Sequence, residues 1–185
     1  MTEVQTQTES LLCDRSILYF DSYVSSIQPP TIVMQKAGSG TLCLGGVDVI
    51  KNGSFRKYKL PECAHIVSII SGNIFFHYLT AAHSDLKREL YEIEDNLDER
   101  IDHLFDNVTE SIYSSLEEGN NVYVHCFMGI SRSAAFTVAY LMRYHDMTLD
   151  SAKDFLREKR RISININFIC QLRSYEEKLK KKKTV

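Results

Sequence analysis

Residues 122–133 read VYVHCFMGISRS. Cys126 and Arg132 stand six positions apart, Gly129 lies between them, and Ser133 follows directly. The apolar, β-branched run up to His125 predicts a strand, and the small and apolar residues from Ser133 onward predict a helix. A short loop joining a strand to a helix turns successive backbone N–H groups inward at the positive end of the helix, which makes a cradle for an anion. A cysteine at the base of that cradle is held as thiolate, the nucleophilic form. Arg132 offers a planar fork that matches two phosphate oxygens. Gly129 lets the backbone turn with no side chain in the way. The Ser133 hydroxyl is in reach of the sulfur, and His125 is placed to support the loop through a backbone hydrogen bond.

The chemistry these residues fit is hydrolysis of a phosphate monoester through a phosphocysteine. Cys126 attacks phosphorus in line. The N–H groups of Phe127, Met128, Gly129, Ile130, Ser131 and Arg132, with the Arg132 guanidinium, hold the equatorial oxygens of the transition state. A general acid protonates the leaving oxygen and later deprotonates water. No metal and no other cofactor is required. A lone cysteine reads as a small buried hydrophobe, and Cys43, Cys63 and Cys170 are expected to be that. A redox or arsenate-reducing thiol enzyme shares this loop, but it usually keeps resolving cysteines close by and its nucleophile near the N-terminus. Neither feature is present.

Periodicity outlines the elements that must position the loop. Leu12, Ser16, Phe20, Tyr23, Val24 and Ile27 recur near helical spacing and predict an N-terminal helix that Pro29-Pro30 stops. Residues 31–34 and 41–44 read as short strands around a Gly38-Ser39-Gly40 turn, 64–70 as a strand covered on both faces, and 90–93 as a further strand. Asp98 is placed to cap a helix whose stripe is Ile101, Leu104, Phe105, Val108, Ile112 and Leu116, with Gly119 at its end. Residues 121–125 form a strand. Three more helices follow, from Ser133, from Thr148 and from Asn167. Strands first and strand–helix alternation later predict a single α/β domain with a mainly parallel central sheet flanked by helices.

A chain of 185 residues, 44% hydrophobic and 25% charged, fits one globular domain. The formal net charge of −2 points to no nucleic-acid partner. Five widely spaced cysteines without a C-x-x-C pair indicate neither a disulfide framework nor a zinc site. The polar start MTEVQTQTES does not read as a secretory signal, and no run is long and apolar enough for a membrane anchor. The expectation is a monomer of the cytoplasm or nucleus.

The segment HCFMGISRSAAFTVAYLM resembles the H-C-x2-G-x-S-R-S stretch of the cysteine-dependent dual-specificity protein phosphatases. LCLGG (42–46), DNLDERIDHLF (from Asp95) and SININFICQLRSYE (163–176) resemble further motifs of that family, in its order. The likeness covers residues 31–178, leaving 1–30 as an N-terminal segment and 179–185 as a lysine-rich tail. It implies a protein-tyrosine-phosphatase-like fold and phosphoprotein substrates carrying phosphotyrosine or phosphoserine/threonine. It implies Cys126 as nucleophile, Arg132 as phosphate clamp, Ser133 as the aid to phosphoenzyme breakdown and Asp95 as general acid. Asn165 falls on the family's loop-steadying Asn. Ile164 replaces the family's usual Pro, and Asn167 a frequent Gly or Ala. Apolar Phe127, Met128 and Ile130 stand where phosphoinositide phosphatases tend to place lysines, which disfavours a lipid substrate. The run GISRSAAF is also similar to the family's phosphoserine/threonine/tyrosine-interaction branch, which implies an alternative: a phosphoprotein-binding module with little turnover.

Overall fold

The computed structural model describes residues 28–35, 38–51, 56–71 and 86–183. The expected N-terminal helix lies outside them. Among the described residues five strands form one sheet: β1 Thr31–Gln35, β2 Thr41–Gly45, β3 His65–Ile69, β4 Lys87–Tyr91 and β5 Val122–His125. Their order is β1-β2-β5-β3-β4, with β1 antiparallel to β2 and the remaining pairings parallel. The α-helices among the described residues are α1 Asp48–Lys51, α2 Phe105–Glu117, α3 Arg132–Tyr144, α4 Leu149–Lys159 and α5 Ile166–Lys183. The molecule is therefore an α/β domain with a mainly parallel sheet, as the strand–helix alternation predicts.

Strand β5 occupies the centre, and all its side chains are buried. Successive side chains of a strand point to opposite faces. Val122 and Val124 accordingly enter the large core built with α2 to α5, whereas Tyr123 enters a smaller one with Cys43, Val47, Ile50, Leu60 and Cys63. Helix α3 begins immediately after the loop that leaves β5, and it is buried from Ser133 through Met142. A helix this short of charged residues along its length belongs in a core, and the buried Thr137 hydroxyl is met by the Ser133 carbonyl. Its N-terminus is fixed there by packing on the sheet and on α2, α4 and α5.

Helix α2 departs from expectation at its start. It opens after a 3-10 turn, Asp102–Leu104, and Asp98 does not cap it. The Asn96 carboxamide oxygen accepts from the N–H groups of Asp98 and Glu99, at 3.0 and 2.8 Å, so the chain still turns there. The free amides at the helix entrance are instead met from α5: Gln171 Oε1 accepts from Ile101 N at 2.7 Å and Asp102 N at 2.9 Å. At the other end Gly119 has φ +84°, and its N–H and that of Asn120 bond the carbonyls of Leu116 and Ser115. That is the paired bonding of a glycine-terminated helix. Strand β4 also begins earlier than the expected 90–93 and leaves Ile93 beyond its end. Its charged residues conceal an edge strand that pairing with β3, rather than apolar alternation, holds in place.

A polar network ties β4 to the interior. Glu89 accepts from Tyr91 Oη at 2.9 Å and from Ser111 Oγ, and one of its oxygens lies 3.4 Å from His65 Nε2. His65 Nδ1 meets Ser115 Oγ at 2.8 Å. Burial opposes ionisation of Glu89, but the contacts from His65, Ser111 and Tyr91 outweigh it and hold the carboxyl at about 2, below the ordinary 4.5. A carboxyl depressed in the folded state stabilises it above the unfolded value and loses that contribution as pH falls through the folded one. The window here is pH 4.5 down to 2, and the contribution is about 2 kcal/mol, allowing for partial exposure. Glu89→Gln should therefore unfold at lower urea than wild type at pH 7, with the gap narrowing toward pH 3. A gap that stays constant across that range would remove Glu89 from this role.

Among the described residues no helix is long and apolar enough to cross a membrane. Helix α5 continues to Lys183, with Lys178 and Lys182 reaching Asp106 and Lys180 reaching Glu176 and Glu177.

Candidate active site

In parallel sheets ligands gather beyond the carboxyl ends of the strands. Here Val47 follows β2, Ser71 follows β3, Ile93 and Asp95 follow β4, and Cys126 follows β5. All of them converge on the loop 126–131.

Every carbonyl of that loop accepts a hydrogen bond. The partners are His125 Nδ1 for Cys126 (3.2 Å) and Val47 N for Phe127 (3.1 Å). Arg160 Nη2 bonds Met128 (3.1 Å) and Arg160 Nε bonds Gly129 (2.8 Å). Ser163 N bonds Ile130 (3.1 Å) and Ala135 N bonds Ser131 (2.8 Å). With the carbonyls tied down, the backbone of the loop is fixed around the sulfur. Gly129 N–H donates to Cys126 Sγ at 3.2 Å, and Ser133 Oγ donates to it at the same distance. The N-cap residue Ser131 does not cap α3, because its hydroxyl is turned to Asp95 and Asn165, so the first amides of α3 are left at the positive end of the helix without that cap. Cys126 is 2% exposed and so lies at the bottom of the cradle.

Gly129 has φ +70°, and a Cβ there would come within 2.3 Å of the Gly45 carbonyl group and 2.8 Å of Arg160 Nη2. The glycine is needed twice, for its backbone angle and for the close approach. His125 is fully buried, with Nε2 2.7 Å from Ser68 Oγ. The Cys126 carbonyl can only accept, so Nδ1 carries the proton and Nε2 accepts from Ser68. Burial first, and the Arg132 charge second, bring this imidazole down to about 4 against the hydrogen bond to Cys126. At neutral pH it is an uncharged strut.

The Arg132 guanidinium is fixed on one side and open on the other. Nη1 donates to Ile93 O at 2.9 Å and to Ser71 Oγ at 3.4 Å. Nε is buried and has no hydrogen-bond partner among the described residues. An unmet donor in a buried site is costly unless a ligand meets it. Asp95 Oδ2 lies 3.8 Å from Nε, outside hydrogen-bond range. Asp95 Oδ1 accepts from Ser131 Oγ at 2.8 Å and from Asn165 Nδ2 at 3.4 Å. Asn165 also donates its backbone N–H to Ser131 Oγ at 3.1 Å and Nδ2 to Asn96 O at 2.9 Å. It thereby ties the Asp95 segment to the phosphate-binding loop.

The structure brings together His125, Cys126, Arg132, Ser133, Asp95 and Asn165, each singled out in the sequence. Phe127, Met128 and Ile130 sit partly exposed on the loop. Arg160 was not anticipated. It lies in the charged run EKRR (158–161), which reads as solvated surface, yet it is 4% exposed and burial pulls its guanidinium below the usual range. Its positive charge is spent on three carbonyls, those of Gly129, Met128 and Pro29. Ser68 and the Ser131 hydroxyl were missed for the same reason: nothing near them in the chain announces their partners. Cys43 and Cys63 are buried as expected, but Cys170 is exposed. The inward side chains of α5 are Phe168, Gln171, Leu172 and Tyr175, and position 170 falls off that stripe.

Residues 62–178 match the family model of the dual specificity phosphatase catalytic domain. Dual specificity protein phosphatase 1 of Arabidopsis thaliana is 34% identical over 140 residues, which cover 75% of this chain and 67% of that protein. Dual specificity protein phosphatase 16 of Homo sapiens is 43% identical over 89 residues, 48% of this chain but only 13% of the longer human protein. The crystal structure of human tyrosine phosphatase-like serine/threonine/tyrosine-interacting protein superposes with a TM-score of 0.69 at 30% identity, covering 80% of this chain and 95% of that one. Human DUSP28, at 21% identity and a TM-score of 0.70 over 83% of this chain and 96% of its own, shares the fold. The domain that carries Cys126 at the end of its central strand is thus a dual specificity phosphatase catalytic domain, and the chain belongs to the dual specificity phosphatase family.

Proposed function

We propose that this domain hydrolyses phosphotyrosine and phosphoserine/threonine in proteins through a phosphocysteine at Cys126, without a metal ion. The observation that carries this reading is a sulfur beneath a loop whose carbonyls are all held away from it and whose Gly129 amide already points at it. The Cys126 thiolate attacks phosphorus, and the bond to the leaving oxygen breaks as Asp95 gives that oxygen its proton. Arg132 Nε and the loop amides take the charge of the equatorial oxygens. Asp95, now ionised, accepts a proton from water as the water attacks the phosphocysteine. Phosphate leaves, and the sulfur departs as thiolate, stabilised by the hydrogen bond from Ser133 Oγ. Positive charge for the transition state comes from the protein, which is the reason no metal is invoked.

The test is hydrolysis of an aryl phosphate and of phosphopeptides in excess EDTA, with mass spectrometry of quenched enzyme for a phosphoryl group on Cys126. Activity that EDTA abolishes and added metal restores would overturn the reading. Asp95→Asn should lower kcat by about 10²-fold or more and flatten the alkaline limb of its pH profile. An unchanged alkaline limb would take Asp95 out of the role. The second reading is a phosphoprotein-binding module with little turnover. Its support is the likeness to the human protein whose name describes serine/threonine/tyrosine interaction.

A further inference from the structure

We propose that Leu97 and Ile166 form a subsite for an apolar side chain next to the phosphoresidue of a peptide substrate. The inference rests on the phosphatase reading and adds which phosphopeptides it selects. Among the described residues these two are the most exposed large hydrophobics, at 65% and 64%. Single apolar side chains in water are ordinary, but neither of these is at a random place. Leu97 lies two residues past Asp95, and Ile166 one past Asn165. The hydrogen bond from Asn165 Nδ2 to Asn96 O joins their two segments at 2.9 Å, and Asn165 N holds both to Ser131 of the phosphate-binding loop.

The Leu97 segment is held rather than free. Asn96 Oδ1 accepts from two following amides, and Glu99 Oε2 accepts from Glu94 N at 3.0 Å. A fixed apolar surface needs little ordering when a ligand covers it. Continuity with the phosphate cradle sets the occupant. A phosphate seated over Cys126 carries its own chain across the rim, past Met128 and Ile130, which are partly exposed and apolar. The neighbouring side chain of that peptide then meets Leu97 and Ile166. Exposed carboxylates of Glu92, Glu94 and Asp98 stand on the same segment. They repel acidic flanking residues and ligands bearing several phosphates. Of the nearby cations, Arg100 is paired with Asp102 and Arg132 is aimed at the phosphate cradle.

Three phosphotyrosine peptides, identical except for leucine, glycine or glutamate on both sides of the phosphoresidue, test this. In wild type, kcat/KM should favour the leucine peptide over the glycine peptide about tenfold, and the glutamate peptide should be poorest. In the double variant Leu97→Ser, Ile166→Ser, the leucine-to-glycine ratio should fall to within about twofold of one. The ratio is internal to each protein, so a general change in activity cancels. A wild-type ratio near one, or an equal ratio in the double variant, overturns the subsite. Affinities of the same peptides for Cys126→Ser protein, with and without the two rim substitutions, give the ratio independently of turnover. Absence of hydrolysis by wild type thus counts against the phosphatase reading, while the affinity ratio decides the subsite.

Discussion

Cys126→Ser should lower turnover of aryl phosphates and phosphopeptides by at least about 10⁴-fold, while phosphopeptide affinity stays within about threefold. The asymmetry follows from what the sulfur does and does not hold. A serine hydroxyl is un-ionised at neutral pH and is a far weaker nucleophile than a thiolate. It can still accept the hydrogen bonds from Gly129 N and Ser133 Oγ, so the base of the cradle stays filled. The loop itself does not depend on the sulfur. Its carbonyls are anchored by His125, Val47, Arg160, Ser163 and Ala135. Arg132 is anchored separately, on Ile93 and Ser71. Binding should therefore survive the loss of chemistry. The checks are steady-state hydrolysis in EDTA and titration of a labelled phosphopeptide. Equal hydrolysis by the two proteins above the uncatalysed rate would remove phosphocysteine from the mechanism, and hydrolysis by neither would leave a binding module.

The separation of chemistry from scaffold also explains what the sequence makes legible. Cys126, Arg132 and Ser133 lie within one strand–loop–helix unit, so spacing alone places them together. The stripe of α2 and the mostly small and apolar run of α3 are equally local, because each is read from neighbouring residues of one helix. Three kinds of feature escape such a reading. Arg160 comes from another helix to fix carbonyls that belong to the backbone, and backbone groups leave no mark in a sequence. Gln171 meets the amides of the 3-10 turn that leads into α2 from far along the chain, which is why Asp98, the nearest residue of the right type, looks like the cap and is not. Strand β4 is charged because it lies at the sheet edge, so only its pairing with β3 reveals it. Asp95 stands between these cases. Its type and neighbourhood are legible, but Glu92, Glu94, Asp98 and Glu99 surround it. Family resemblance, rather than periodicity, picks it out. The contact with Ser131 and Asn165 is what separates it from that crowd.

Arg132→Lys should reduce kcat/KM by about 10³-fold, with most of the loss in kcat, although the charge is unchanged. The guanidinium does two things at once. Nη1 is committed to the Ile93 carbonyl, which aims the group, and Nε is buried without a partner among the described residues, ready for a ligand oxygen. An ammonium is a point charge on a flexible stem and lacks the fork that makes both contacts in one plane. Lysine at this position either satisfies Ile93 or meets the phosphate. In the first case the phosphate loses its buried cation contact, and in the second the carbonyl of Ile93 loses its partner and the aim is lost. The penalty concentrates in kcat because the equatorial oxygens, not the ground-state ester, fit a fixed pair of donors best. Vanadate, which adopts the five-coordinate shape of the transition state, should accordingly lose far more affinity for the variant than inorganic phosphate does. Parallel losses for the two anions, or a kcat/KM within about tenfold of wild type, would show that Arg132 supplies charge alone and that its geometry is incidental.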